Sequence, residues 1–263
     1  MTVPTDTETG TKAADRVRAV AVGAAAAAMI LVPTLGPLLA GTREGAEEFD
    51  TEITPPDYAF AIWAPIFAAG AADAVQHAVN PAAAVNRRTG WWLTGAYTAN
   101  ACWSIAAQSG RFRYTPFILP VAAGLAATAH RRAQHDRPRG TERLRAHSAG
   151  LLLGWTGVAS VVNAFAVQRR GRFATTTRTG RNTARLAVAG AAALLSAAIA
   201  TSRYGHTSIA LAGTWALATS AANPARTPRT RQVNAAAAAL VAATTATRLR
   251  RTGTGTVRDR RTA

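Results

Sequence analysis

Residues 19–40 read AVAVGAAAAAMILVPTLGPLLA, 22 positions without a charge. A helix that crosses a bilayer needs about 20 predominantly apolar residues. A helix of a soluble bundle would instead carry a polar position every three or four residues, and this stretch has none. It is read as an uncleaved membrane span. About 16 polar residues precede it, whereas a secretory signal usually has a shorter basic start and a shorter apolar core.

Working outward from this span, similar stretches follow at about 58–79, 89–109, 114–130, 147–168, 186–202, 207–223 and 233–247. The expected fold is all-α: a polytopic bundle of eight transmembrane helices. The last three stretches are Ala-rich, so their own drive into lipid is weak.

The charge pattern agrees with this reading. The 263 residues carry 30 Lys+Arg against 13 Asp+Glu, a net charge of +17, yet 49% of the chain is hydrophobic. The mean hydropathy of +0.05 averages over near-chargeless spans and Arg-rich loops. A disordered basic tail would have too few apolar residues to fold. Nucleic acid is not expected as a partner: the arginines are divided among loops, with no basic helix interleaved with aromatics. Lys12 is the sole lysine, so the Arg excess reads as compositional bias. The single cysteine, Cys102, excludes a disulfide framework and a thiolate metal cluster.

Cytoplasmic loops of membrane proteins carry the excess of Lys and Arg. With the N-terminus inside, the loop at 41–57 is outside and acidic, with Glu44, Glu47, Glu48, Asp50, Glu52 and Asp57 against Arg43. Arg87 and Arg88 then fall inside, as do Arg131, Arg132, Arg137, Arg139, Arg143 and Arg145. The C-terminal part breaks the rule. Alternation puts Arg169, Arg170, Arg172, Arg178, Arg181 and Arg185 outside, together with Arg226, Arg229 and Arg231. The expected organisation is a polar tail at 1–16, a five-helix domain at 17–168 and an Arg-rich linker at 169–185. C-terminal helices at 186–249 and a basic tail at 250–263 follow.

Three motifs carry a resemblance. Residues 55–67 read PPDYAFAIWAPIF, entering the second span. The third contains YTANACWS at 97–104, with Asn100 three before Trp103. The fifth contains LLLGWTGVASVVNAF at 151–165, where Trp155, Ala159 and Asn163 recur every four residues and share a helical face. Together they resemble the translocator protein family, the tryptophan-rich sensory proteins (TspO/MBR), over about residues 17–168. This chain departs from that pattern in three ways. The Tyr58–Trp63 spacing is one shorter, Leu151 replaces a proline, and 41–57 lacks a tryptophan. It resembles a longer, divergent member.

The resemblance implies a pocket for a hydrophobic small molecule such as a tetrapyrrole, porphyrin or haem, for sensing or transport, with no cofactor required. Carried over by position, the pocket residues are Trp63, Phe67, Asn100, Trp103, Trp155, Ala159 and Asn163. Their structural alternatives are interhelical hydrogen bonding for the two amides and ordinary core packing for the aromatics. Trp91 and Trp92 read as an interfacial aromatic belt.

Asp73 and His77 sit i, i+4 on the second span, on one face. The expectation for them is a solvated or snorkelling pair at the cytoplasmic end. A proton relay or ligand anchor is the alternative, because intramembrane ionisable groups are often functional. No HExxH, GxSxG or GxxxxGK[ST] string is present, and the five histidines form no ligand-spaced cluster, so neither an enzyme nor a metal site is expected. The expected setting is the plasma membrane, multi-pass, with the lipid bilayer as partner and a homodimer as an admissible assembly. The competing reading is an eight-helix secondary transporter or permease, although no convincing internal repeat accompanies its Pro interruptions.

Overall fold

The computed structural model describes residues 6–40, 49–135 and 140–259, with side chains over 10–36, 49–135 and 140–251. Glu44, Glu47, Glu48, Arg43, Arg137 and Arg139 lie outside the described residues, as do 1–5 of the polar tail and 260–263 of the basic tail.

Among the described residues there are eight α-helices and no strand. They are α1 (Asp6–Ala40), α2 (Trp63–Val79), α3 (Ala84–Gln108), α4 (Thr115–Arg132), α5 (Leu144–Ala166), α6 (Arg178–Thr201), α7 (His206–Ala222) and α8 (Pro228–Asp259). Proline is tolerated in a first helical turn, where the missing N–H has no intrahelical partner to lose. Pro65 and Pro116 sit there in α2 and α4. A 3-10 turn, Asp57–Ile62, carries the chain from Pro56 into α2.

Four segments are long and apolar enough to cross a membrane by themselves: 10–36, 57–79, 140–166 and 178–201. The third, fourth, seventh and eighth helices do not reach that standard alone. α7 is only 17 residues long. α3 begins with Asn86, Arg87 and Arg88. The eight expected helices are all present, but hydropathy by itself singles out half of them.

The helices form two rings that share α5. In the first, α1 packs on α2, α2 on α5, α5 on α4, α4 on α3, and α3 back on α1. In the second, α5 contacts α6 and α7, and both of these contact α8. α5 is accordingly buried along most of its length, from Ala146 through Trp155 to Ala166. Small residues let membrane helices approach closely, and the α5–α7 crossing depends on them. A Cβ on Gly150 would stand 2.8 Å from the Gly205 carbonyl oxygen, and one on Gly154 would collide with the Ile209 carbonyl. Gly205 itself has φ 68° at the start of α7, a left-handed conformation that suits glycine.

The linker is shorter than expected. Residues 178–185 already belong to α6, whose first turn is capped by Thr177: its Oγ1 accepts from the Gly180 N–H at 2.9 Å. Without a side-chain acceptor the first N–H groups of a helix have no partner.

The alternating helices define two faces. The N-terminal face holds the starts of α1, α3, α5 and α7. The opposite face holds residues 49–57 of the acidic loop together with the starts of α2, α4, α6 and α8. Two of the anomalous C-terminal arginines meet carboxylates on this second face. Arg226 forks onto Asp50 at 2.7 and 2.5 Å and donates to the Thr54 carbonyl at 3.0 Å. Arg185 approaches Glu52 at 3.7 Å, and Arg169 lies 5.8 Å from the Phe49 ring. Arg226 and Arg185 are thus paired with carboxylates of the loop on their own face.

Candidate functional site

Beneath the acidic loop lies a cavity of about 590 Å3. Its floor is aromatic. Trp63, the first residue of α2, stacks on Trp103 of α3 with centroids 6.4 Å apart at 26°. It also meets Trp155 of α5 edge-on at 6.2 Å and 74°. Phe60, from the 3-10 turn, meets Trp155 at 5.6 Å and 76°. Offset-stacked and edge-to-face pairs are the arrangements that ring quadrupoles favour. Four aromatics from four elements thus hold one another in fixed orientations.

Trp155, Ala159 and Asn163 all line this cavity, as their shared face on α5 requires. Trp63 and Trp103 line it as well. The two remaining motif positions do not. Phe67 lies one turn down α2, stacked on Trp63 at 5.4 Å. Asn100 is buried one turn down α3, where its Nδ2 donates to the Ala96 carbonyl of its own helix. Its Oδ1 has no partner among the described residues, so the interhelical bond expected of it is not made. Asn163 does make one: its Oδ1 accepts from the Trp103 indole at 3.0 Å.

Two polar features stand out. The Trp63 indole N–H is buried and has no acceptor among the described residues. Arg226, committed to Asp50, stands at the rim. The motifs missed other parts of the lining: Phe49, Asp50, Thr54 and Phe112 at the mouth, Ala216 of α7, and Asn223 just after that helix. Phe49 and Phe112 stack at 3.9 Å and 15°. The loop is also fixed where it enters α2, since the Trp215 indole of α7 donates to the Ala59 carbonyl at 2.7 Å. The second ring therefore supplies both wall and clamp. The acidic stretch opposite Arg-rich loops was the available sequence signal for this.

The loop is strapped down at Glu52. Its Oε1 accepts from the Thr227 N–H at 3.1 Å, from the Thr230 hydroxyl at 2.7 Å, and from the Thr227 hydroxyl. Burial alone would raise this carboxyl. The hydrogen bonds from Thr227 and Thr230 and the Arg185 guanidinium outweigh it and hold the group below the ordinary glutamate range.

Residues 17–249 match the sequence profile of the TSPO-like protein family. The chain belongs to that family. The match runs past residue 168, so it takes in α6, α7 and α8 as far as Leu249 as well as the first ring. With its apolar helices, this TSPO-like protein is a multi-pass integral membrane protein. No curated protein and no solved structure matches the chain.

Asp73 and His77 do not form a solvated pair at the end of α2. Both are fully buried in this TSPO-like fold. α3 and α5 close over them and bring polar partners, and a four-residue spacing could not foresee this. The Asp73 carboxylate lies 3.6 Å from Arg145 Nε of α5 and accepts from the Tyr97 hydroxyl of α3 at 3.3 Å. Tyr97 pairs with Ser148 at 2.7 Å. Arg145 donates onward to Asn86 Oδ1 at 2.7 Å and to the Thr141 carbonyl at 2.8 Å. His77 Nδ1 sits 3.0 Å from the Asp73 carbonyl, and its Nε2 has no partner among the described residues. Charges removed from water persist only when paired and hydrogen-bonded.

Proposed function

We propose that the cavity binds one hydrophobic, largely planar small molecule, a tetrapyrrole such as protoporphyrin or haem, and that binding serves sensing or transport at the plasma membrane. The observation that carries this reading is the Trp63 N–H, buried without an acceptor among the described residues in a wall of aromatic faces. A buried donor left unpaired costs about 1–3 kcal/mol, and a ligand acceptor would relieve that cost. The aromatic floor would stack on a macrocycle. Asn223 and Arg226 at the rim suit its polar edge. The volume falls within the several hundred Å3 usual for small-molecule sites. The role read here is binding, because the cavity brings together stacking surfaces and a donor.

Protoporphyrin titrated into the purified full-length chain should quench tryptophan emission saturably. Trp103 and Trp155 each lie within 6.4 Å of Trp63, so Trp155→Phe should reduce the quench without abolishing it. An absence of saturable quenching by any tetrapyrrole removes this ligand class.

The buried Asp73–Arg145–His77 group favours a second reading, a secondary transporter in which the group relays protons. Asp73→Asn would then abolish ligand uptake into vesicles while leaving protoporphyrin binding intact. Equal loss of both would leave the group a structural role only.

A further inference from the structure

The two rings meet where α7 crosses α5, and at the N-terminal face that joint is built from histidines. α7 starts directly against the first turn of α5: a Cβ on Gly205 would collide with the Ala146 carbonyl. His130, in the last turn of α4, holds the same carbonyl. Its Nδ1 donates to the Ala146 oxygen at 3.0 Å, and its Nε2 meets the Ser202 hydroxyl at 2.7 Å. Further along, Gln134 Oε1 accepts from the backbone N–H of Arg203 at 2.8 Å and of Tyr204 at 2.9 Å. His147 of α5 reaches across to α7, its Nδ1 2.8 Å from the Ser208 hydroxyl.

His206, the first residue of α7, is the odd member. Both its ring nitrogens are buried and have no hydrogen-bond partner among the described residues. The Arg203 carbonyl lies near it, outside hydrogen-bond geometry. The three rings, from α4, α5 and α7, lie within electrostatic reach of one another. The other charges that bear on them are Arg143, beside His147, and Arg248 of α8, beside His206. Both arginines are engaged: Arg143 faces the Tyr204 ring at 5.5 Å, and Arg248 Nε donates to the Ser202 carbonyl at 3.2 Å. Among the described residues no carboxylate bears on the cluster. Glu142, next to Arg143, acts instead on Arg145, whose guanidinium is turned toward Asp73 inside the first ring.

Position makes the cluster one-sided. His147 and His206 stand in the first turns of α5 and α7, where the helix dipole disfavours a cation. His130 stands in a last turn, where the dipole accepts one, and both its nitrogens are already bonded. His147 and His206 are each partly exposed, so protons reach them. Two imidazolium ions there would face each other, two helix N-termini and two arginines, with no carboxylate to answer them.

We propose that this joint is a pH-sensitive switch: neutral His147 and His206 hold α7 against α5, and their protonation parts the two helices at the N-terminal face. The effect reaches the opposite face, because α7 is one continuous helix whose Trp215 clamps the Ala59 carbonyl and whose Ala216 walls the aromatic cavity. Acid at one face thereby loosens the cavity at the other. This last step rests on the proposed binding, whereas the opening of the joint does not.

The test is amide hydrogen exchange of the full-length protein in detergent at about pH 7.5 and about pH 5.5, either side of the ordinary histidine value. Rates are corrected for the chemical effect of pH. Protection of residues 206–214 should fall at least about tenfold at the lower pH, the effect of one site whose open and closed states differ by a pKa unit. Protection of α1–α3 should hold. Glu52 stays charged over this interval, since its ordinary value is 4.5 and docking lowers it, so the acidic loop does not confuse the result. His147→Gln with His206→Gln cannot be charged and should stay protected at both pH values. His206→Arg is permanently charged and should open α7 already at the higher pH. Parent-level protection of α1–α3 shows that a variant is folded. His206→Gln alone removes no hydrogen bond and decides the matter if the pair does not fold: its acid opening should be smaller than the parent's. A parent that stays protected at the lower pH, undiminished acid opening in the glutamine variants, or full protection in His206→Arg would each overturn the proposal. Protoporphyrin affinity should fall over the same interval by more in the parent than in the glutamine pair, which also controls for the porphyrin's own carboxyls. Opening with no such difference in affinity would overturn the coupling to the cavity. Absence of tetrapyrrole quenching at either pH would remove the ligand and leave the joint standing.

Discussion

The Trp103 indole on α3 donates to the Asn163 side chain on α5 across the first ring, at 3.0 Å and with both residues 6% exposed. The bond also fixes the amide, because Asn163 Nδ2 is occupied by the Ala159 carbonyl at 3.0 Å. Asn163→Leu leaves the indole N–H buried and unpaired, a cost of about 1–3 kcal/mol. The thermal midpoint in detergent should fall accordingly. Adding Trp103→Phe removes the orphaned donor, so the second change should cost less on the Asn163→Leu background than alone. Strict additivity of the two losses would show that the bond contributes nothing.

Trp63 presents the opposite case, a donor with no partner to lose. Trp63→Phe keeps an aromatic ring against Trp103, Trp155 and Phe67 and deletes the unpaired N–H. Stability should change little, because packing loss and removal of the orphan act in opposite directions. Affinity for a tetrapyrrole should fall by about tenfold, equivalent to one hydrogen bond. Fluorescence titration beside a melting curve separates the two effects. An unchanged dissociation constant would assign the Trp63 N–H no part in binding.

Trp63, Trp103, Trp155, Ala159 and Asn163 were legible as a set through the resemblance carried by three motifs, and helical periodicity by itself joins only Trp155, Ala159 and Asn163 on one face. Their convergence at one cavity follows from the ring order. Phe67 and Asn100 sit one turn from Trp63 and Trp103, as their spacing requires, but how deep the cavity reaches is not encoded in that spacing. The role of the C-terminal helices was illegible for a different reason. Their arginines were weighed against a membrane rule, whereas Arg226 and Arg185 answer to Asp50 and Glu52, more than 130 residues away in sequence. Long-range pairing of this kind leaves no local signature. Asp73 illustrates the same limit. Its partners Tyr97 and Arg145 come from other helices, and its depth follows from closure of α3 and α5.

For the buried group, the damage should depend on which charge is left behind. Arg145→Met strands the Asp73 carboxylate with only Tyr97 and His77 beside it, and breaking a buried pair on one side costs about 3–5 kcal/mol. Asp73→Asn together with Arg145→Met removes both charges and should recover much of the loss. Melting curves of the single and double variants decide the matter. If the double variant is as unstable as the sum of the singles, the carboxylate and guanidinium are not energetically coupled.

The strap over the cavity should be sensitive to acid. The Glu52 carboxyl is lowered when docked against Thr227, Thr230 and Arg185. Its contribution is therefore fully present above the ordinary glutamate value of 4.5 and is lost as pH falls through the docked value below it. Asp50 contributes through Arg226, whose fork also holds the Thr54 carbonyl. Arg226→Met should loosen the loop at every pH, at a cost of about 1 kcal/mol for a pair in which one partner is half exposed. Glu52→Gln should flatten the acid response while keeping the loop partly docked, since an amide oxygen can still accept from Thr230. The measurement is the rate of protoporphyrin release at pH 7 and at pH 4, followed by recovery of tryptophan emission. Release should be faster for Arg226→Met at both values, and the acid acceleration of the parent protein should shrink in Glu52→Gln. A parent release rate that is flat across that interval would mean that the loop does not gate the cavity.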